Sequence, residues 1–218
     1  MLRFQSLTLA LVSVLLFDCA VAAQTQLQVK QRGSDARSVE FNTDVLPLVN
    51  QLLSGHLREG RTLSGANVGF RLDPNRLFLQ KDYEPRVYFL GSVTANQLGF
   101  DTFIRPLSQI TSGGQRFRMF QNVRNLQNGD FVDLGPQTAG TLIDPICFLN
   151  GRTFIWFTND DKNSDLRQHV VAFTIEDYIV LGWEDAPGGG DNDFNDGVVV
   201  LDIGPENVEQ LENPTLPH

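Results

Sequence analysis

Cysteine and histidine are scarce in this 218-residue sequence, which contains two cysteines and three histidines. Basic residues are also few, with 17 Lys and Arg against 26 Asp and Glu, so the formal net charge is −9. This balance argues against a nucleic-acid partner, because binding to phosphates requires a basic patch that releases counterions. The hydrophobic fraction of 41% is typical of a globular domain and disfavours a disordered chain or a polytopic membrane protein.

Residues 1–23 have the three zones of a secretory signal peptide. Arg3 lies in a short polar start, an apolar run extends from Leu7 to Phe17, and small residues precede Gln24. The apolar run is too short to span a bilayer, and no later run approaches the length of about 18 apolar residues that a membrane helix needs. We therefore expect a secreted protein, extracellular or periplasmic, with no transmembrane segment in the mature chain.

Removal of this leader takes Cys19 away and leaves Cys147 as the single cysteine of the mature chain. No intrachain disulfide can then form, even in an oxidising compartment. Cys147 lies in an apolar run, which predicts a small buried side chain and not a reactive thiol.

The first part of the mature chain, residues 24–66, is predicted to be a polar lead-in that contains one short amphipathic helix at about 44–54. Apolar residues from Val45 onward recur at helical spacing. Asn42 or Thr43 is the expected N-cap of this helix, because Asn and Thr side chains accept hydrogen bonds from the first backbone N–H groups. Gly55 is the expected C-terminal stop.

Residues 67–204 contain ten short runs of β-branched and aromatic residues, separated by Gly, Asn, Asp and Pro. These runs predict a mainly β fold, in the form of a two-sheet β-sandwich or jelly roll. Both tryptophans, Trp156 and Trp183, lie in apolar strand runs and are predicted to belong to the core. Residues 205–218 contain three prolines and are predicted to form a flexible tail.

The acidity of the chain is concentrated in residues 158–203, which contain eleven acidic residues and two basic ones. This segment alone carries the net charge of the whole chain, so the remaining residues sum to zero. A general surplus that serves solubility would be spread over the surface, and this one is confined to two turns.

The longer acidic turn lies between two strand runs and combines three consecutive glycines with alternating side-chain oxygens. Oxygen ligands at alternate positions of a loop can surround a hard cation, and glycines let the backbone bend tightly around it. The sequence therefore predicts one Ca²⁺ site. Its candidate ligands are Asp191, Asp193 and Asn195, completed by Glu184, Asp185 or Asp196. The alternative is a solvated acidic turn, but clustered carboxylates with no Lys or Arg among them repel each other.

A shorter turn repeats the alternation with Asp161, Asn163 and Asp165. Here a second calcium site and an ordinary Asx-rich turn both remain open, because Lys162 compensates part of the charge. His169, just before a strand, is interpreted as a hydrogen-bonded structural histidine, since calcium prefers oxygen ligands.

The motif Gly182-Trp183-Glu184-Asp185, followed by the run from Gly189 to Asp196, resembles the terminal signature of a family of bacterial secreted β-domains of unknown function. Members often lie at the C-termini of surface and calcium-associated proteins. The resemblance extends over about residues 70–203, and it implies a β-sandwich with a calcium site but no particular activity. Gly197 stands where this family more often has an apolar strand residue.

Catalytic motifs of the common hydrolases, P-loops and dinucleotide-binding folds do not occur in the sequence. We therefore expect a protein that is not an enzyme: a secreted calcium-binding module that acts in surface adhesion, extracellular matrix or ligand binding. Its candidate partners are extracellular polysaccharide and surface proteins. The alternative is a secreted hydrolase that acts on polysaccharide or protein, because two carboxylates can suffice for glycoside hydrolysis.

The leader yields the first testable prediction, which is export with cleavage near Ala23. The order of Arg3, apolar run and small residues is the one that signal peptidases process. N-terminal sequencing of the secreted protein should begin close to Gln24, and a mature form that retains residues 1–23 would contradict the prediction.

Overall fold

The computed structural model describes residues 24–60, 62–63, 71–72, 77–106, 114–149 and 153–212. The predicted signal peptide lies outside these residues. Within them the chain is mainly β, as predicted, with eleven strands in two sheets. The strands are β1 (Thr25–Gln26), β2 (Arg71–Leu72), β3 (Arg86–Gly91), β4 (Leu98–Pro106), β5 (Gln115–Phe120), β6 (Phe131–Asp133), β7 (Thr141–Leu149), β8 (Phe154–Phe157), β9 (Val170–Ile175), β10 (Tyr178–Trp183) and β11 (Gly197–Asp202).

A five-stranded sheet has the order β1-β5-β4-β7-β8, and a six-stranded sheet has the order β2-β9-β10-β11-β3-β6. Neighbouring strands are antiparallel except for β1 and β5. The ten predicted runs correspond to β2–β11, whereas β1 is too short to leave a periodic pattern. Strand β7 contains Pro145, which is tolerated because β8 pairs only with Ile146–Leu149 and no other described strand pairs with Pro145 on that side.

The core of the sandwich lies between the two sheets. Trp156 and Trp183 are fully buried there, which confirms their predicted place in the core. Cys147 is also fully buried, as predicted, and burial raises the pKa of its thiol well above the usual value. Alternate residues of the six-stranded sheet face this core, in accordance with the period of two in a β-strand.

A helical segment covers the opposite face of the six-stranded sheet. It consists of α1 (Ala36–Glu40), a π-helical turn (Phe41–Val45) and α2 (Leu46–His56). The segment packs closely on the sheet: the ring of Phe41 stacks on the ring of Tyr88, with 3.7 Å between the centroids. The six-stranded sheet is therefore buried on both faces, which explains the uninterrupted apolar run of β11.

The helical segment begins eight residues before the predicted helix. Its N-cap is Asp35, whose carboxylate accepts a hydrogen bond from the Ser38 backbone N–H. The predicted caps are wrong, because Asn42 and Thr43 lie inside the segment and donate to carbonyls of the preceding turn. The π-helical turn precedes Pro47, which lacks an N–H and whose ring crowds the preceding turn; a wider turn accommodates that ring.

The predicted flexible tail contains a helix, α3 (Pro205–Glu212). The prolines of residues 205–218 predict a flexible tail, but Pro205 begins this helix, since proline is favoured in the first turn, where its missing N–H costs nothing. Val208 packs into the sandwich core, and the Asn207 side chain accepts hydrogen bonds from the backbone N–H groups of Gln80 and Lys81. No helix within the described residues is long and apolar enough to cross a membrane.

Asp35 provides a testable prediction about the attachment of the helical segment. Arg86, which is 5% exposed, donates to both oxygens of Asp35 and lowers the pKa of that carboxyl from 3.8 to about 2. Asp35→Asn keeps the cap and removes the charge. Since Asp35 is 37% exposed and partly screened by solvent, we expect a loss of about 1 kcal/mol of unfolding free energy at neutral pH.

The contribution of this charge is present above pH 4 and is lost as the pH falls toward 2, because the folded-state pKa lies below the unfolded one. Urea denaturation at several pH values should therefore show that the variant and the wild type converge on acidification. Asp44→Asn, an exposed position of the same helical segment, is the control. An equal loss for Asp35→Asn at pH 2 and pH 7 would show that the charge is irrelevant.

Candidate metal centre

The pairing of β10 with β11 determines where the predicted ligands lie. The last residue pair of this antiparallel ladder is Trp183 with Gly197. The next residues outward are Glu184 and Asp196, which therefore leave the sheet opposite each other. Between them the loop 185–195 turns through five consecutive or near-consecutive positive φ angles. These belong to Gly188, Gly189, Gly190, Asn192 and Phe194.

Three of the predicted ligands form an inner carboxylate group at this strand end, namely Glu184, Asp185 and Asp196. One carboxylate oxygen from each lies within 4.8 Å of the others. Glu184 and Asp185 are each only 2% exposed, and Asp196 is half-buried. In the part of the chain that the structure describes, no Lys, Arg or His nitrogen forms an ion pair with any of the three.

Neutral donors hold these carboxylates in place. Glu184 accepts from the backbone N–H of Ala186 at 3.2 Å and of Asn192 at 3.1 Å, so its two oxygens tie the two sides of the loop together. Asp196 accepts from the backbone N–H of Asp185 at 2.8 Å. The Asn96 amide donates to both oxygens of Asp185, at 3.1 and 3.2 Å.

The electrostatics of the inner carboxylate group are those of negative charges that share one buried space. Burial, reinforced by the nearby Asp196 charge, raises the pKa of Glu184 from 4.5 to about 8. Burial also raises the pKa of Asp196. Without a cation Glu184 and Asp196 therefore hold a proton more readily than ordinary carboxyl groups do, and a bound divalent cation would displace it.

The other predicted ligands belong to an outer carboxylate group, which contains Asp191, Asp193 and a residue that the sequence did not reveal, Glu59. Asp193 is 2% exposed, and burial raises its pKa. Glu59 and Asp191 are exposed. The structure thus divides the six predicted ligands between two groups of oxygens and does not bring them together in one.

Asn195 lies against the outer carboxylate group. Its Nδ2 donates to Asp193 at 3.0 Å, and its backbone N–H donates to the same carboxylate at 3.2 Å. Its Oδ1 is buried and has no hydrogen-bond partner among the described residues. A buried acceptor without a donor is rare in proteins and is consistent with an oxygen that awaits a cation.

Glu59 was missed because it comes from the connector after α2, about 130 residues before its neighbours in the group. This connector runs along the loop: the Gly60 N–H donates to Asp193, the Thr62 hydroxyl to the Asp191 carbonyl, and the Leu63 N–H to the Asn192 carbonyl. Only the three-dimensional pairing of two polar segments places Glu59 there, and no periodicity in either segment indicates it.

The loop is fixed to the sandwich by aromatic groups. Phe194 is 5% exposed and packs with the core under the helical segment. His169 stacks on Trp156 with 3.6 Å between ring centroids. Its ring nitrogens face the Glu184 carbonyl at 2.8 Å and the Asp165 carboxylate at 2.9 Å, which confirms the interpretation of a structural histidine.

Two of the three candidate ligands of the shorter acidic turn, Asn163 and Asp165, are hydrogen-bonded within the protein. Asn163 is 2% exposed, and its amide is used within the protein, because Oδ1 accepts from the Phe157 N–H and Nδ2 donates to the Arg167 carbonyl. Asp165 accepts from the Gly188 N–H at 2.7 Å and so supports the longer loop, while Asp161 is exposed. This turn therefore supports the longer loop through the hydrogen bond between Asp165 and Gly188.

Two glycines of the loop give a matched test of how tightly Glu184 is enclosed. A Cβ at Gly190 would overlap Glu184 Oε1, whereas a Cβ at Gly188 would meet nothing within 4 Å; both residues have positive φ. Gly188→Ala should cost about 1 kcal/mol of unfolding free energy for backbone strain alone. Gly190→Ala should cost about 3 kcal/mol, because the carboxylate must also move. Urea denaturation measures both, and equal losses would mean that Glu184 is not confined.

One known family matches part of the chain. It is described as a domain of unknown function, DUF4114, and the match covers residues 138–204, which is less than a third of the sequence. This segment extends from just before β7 to just after β11 and includes the inner carboxylate group. No curated protein and no solved structure matches the chain. The segment 138–204 is therefore similar to a domain whose activity has no description.

Proposed function

We propose that the protein is a secreted, non-enzymatic calcium-binding β-sandwich module that acts in surface adhesion, extracellular matrix or ligand binding. The observation that carries the proposal is the inner carboxylate group, in which Glu184, Asp185 and Asp196 share a buried space and form no ion pair with a basic side chain of the described residues. Calcium takes six to eight oxygen ligands and tolerates irregular geometry, which suits carboxylates set on a loop.

Coulomb repulsion supports this proposal. Two carboxylates about 4 Å apart repel by about 1 kcal/mol in bulk water and by more near a protein surface. A divalent cation converts this repulsion into attraction. In addition, Trp156 Nε1 donates to the Asp185 carbonyl at 2.9 Å, so a cation held by Asp185 would be coupled to the centre of the core.

The outer carboxylate group is a second place where calcium fits, with Asp191, Asp193 and Glu59 as ligands and Asn195 Oδ1 as an additional oxygen. A cation there would clamp the connector after α2 to the loop. In both groups the role of the ion is structural, since it would hold segments of the surface in one arrangement for a partner.

The alternative of a secreted hydrolase has less support. Both ring nitrogens of His169 are engaged, and the ring is fully buried, so it is poorly placed to act as a base on a substrate. A carboxyl group with a pKa near 8 resembles a general acid, but Glu184 is only 2% exposed and a substrate could not reach it without a change in the loop.

Calcium titration of the secreted protein tests the proposal. Extracellular modules bind Ca²⁺ with dissociation constants of about 10⁻⁴ to 10⁻³ M. Calcium at ten times such a value stabilises the fold by about 1.4 kcal/mol, which should raise the melting temperature by a few degrees. Glu184→Gln and Asp196→Asn should abolish this shift if the inner carboxylate group is the site. Asp177→Asn, an exposed acid at the other end of β10, should leave it intact.

Asp193→Ala in the same titration separates the two carboxylate groups. If calcium binds at both, calorimetry should show two ions per chain in the wild type and one in each variant. Magnesium should have less effect, because it requires smaller octahedral sites and loses water reluctantly. No calcium heat and no thermal shift at millimolar calcium would show that the loop is only a solvated acidic turn.

A further inference from the structure

A cleft of about 870 Å³ lies beside the loop, on the side of the helical segment. One wall is the C-terminal half of α2, and the other is formed by the end of β3 and the residues that follow it. A short 3₁₀ turn, Val123–Asn125, contributes to the far end. The volume is within the range of about 300–1,000 Å³ that small-molecule sites occupy.

The lining of this cleft is polar but mostly uncharged. Amides and hydroxyls face it from several different elements, and half-buried or exposed apolar side chains lie between them. The amides belong to Asn50, Asn96, Asn128 and Asn195, and the hydroxyls to Ser54, Ser92 and Thr94. The apolar residues include Leu53, Leu126 and Val93, of which Val93 is 60% exposed. Two arginines and Glu59 give the lining a small positive charge.

We propose that this cleft binds a short stretch of neutral saccharide. Side-chain amides and hydroxyls both donate and accept hydrogen bonds, which matches the alternating donors and acceptors of adjacent sugar hydroxyls. The apolar residues between them suit the C–H face of a pyranose ring. An acidic polysaccharide is disfavoured, because the net charge of −9 is concentrated in residues 158–203, which include the acidic loop beside the cleft, and because Glu59 is part of the lining.

The walls of the cleft are already held in place. The Asn96 amide donates to both oxygens of Asp185, and its backbone N–H donates to Thr94 Oγ1 at 3.1 Å. This orientation leaves Asn96 Oδ1 to accept from a ligand hydroxyl. Arg124 donates to the Ala95 carbonyl at 2.7 Å and closes the same wall. A preformed site avoids the entropic cost of ordering its side chains on binding.

Strand β3 is irregular where it forms the floor. Val198 pairs with Gly91 and Val199 pairs with Phe89, so Leu90 has no partner in the ladder. Such a bulge bends the strand and redirects its side chains, and bulges of this kind are frequent beside binding sites. All three residues of the bulged strand line the cleft. The bulge therefore bends strand β3 at the residues that form the floor of the cleft.

This inference specifies the ligand class for the ligand-binding part of the proposed function. Asn96 connects the cleft to the inner carboxylate group through Asp185, so calcium would stiffen one wall. The cleft lining contains no residue of the inner carboxylate group, but Glu59 and Asn195 also belong to the proposed outer calcium site. The heat of saccharide binding and the calcium-dependent thermal shift are therefore separate measurements.

Calorimetric titration of the secreted protein in millimolar calcium tests the proposal with four neutral probes: cellobiose, maltose, lactose and N,N′-diacetylchitobiose. We expect heat of binding with at least one of them and none with digalacturonic acid. Ser54→Trp, at an exposed position of α2, should fill the cleft and abolish that binding. Asn128→Ala should weaken it about tenfold through the loss of a polar contact.

Asn125→Ala is the matched control, because Asn125 is exposed next to the cleft but does not line it. Its affinity should equal that of the wild type. The proposal is overturned if none of the four neutral probes binds, if Ser54→Trp binds as well as the wild type, or if digalacturonic acid binds better than the neutral probes. The calcium-dependent thermal shift, measured on the same samples, reports separately on the proposed calcium site.

Discussion

The ladder between β10 and β11 is the constraint on which the rest of the molecule depends. Six consecutive residue pairs join these strands, and both strands are buried on both faces. A slip of one residue would exchange the side chains of the two faces, so the register is strongly specified. Because the register is fixed, Glu184 and Asp196 leave the sheet side by side. The apolar sheet thus determines where the two ends of the acidic loop lie.

Local rules are broken in this loop and kept elsewhere. Like charges lie opposite each other, and Phe194, a bulky residue, has a φ of 56°. Such strain persists only where the surroundings over-determine the conformation, and it concentrates at functional sites. Two contacts hold the loop in this conformation. Gly182, which has no Cβ, leaves room for the Phe194 carbonyl, and His169, stacked on Trp156, contacts the Glu184 carbonyl.

Patterns along the chain were sufficient for the strands and for the location of the acidity, since both depend on neighbouring residues. Strand β10, Tyr178–Trp183, coincides with one of the ten predicted runs, because aromatic and β-branched residues are concentrated there. Predictions failed where a residue's position depends on contacts with residues far away in the sequence. The helix start at Asp35 depends on Arg86 of β3, and the place of Glu59 depends on a loop that follows much later. Pro205 misled because proline has opposite meanings at the start and in the interior of a helix.

The burial of Cys147 has a consequence for the reactivity of its thiol. Thiol–disulfide exchange requires a thiolate that can be reached, and in the folded protein this sulfur is neither ionised at neutral pH nor accessible. Only an unfolded or opened chain can cross-link through it. Under oxidising conditions Cys147 would therefore form mixed disulfides or covalent dimers only in molecules whose sandwich has not closed.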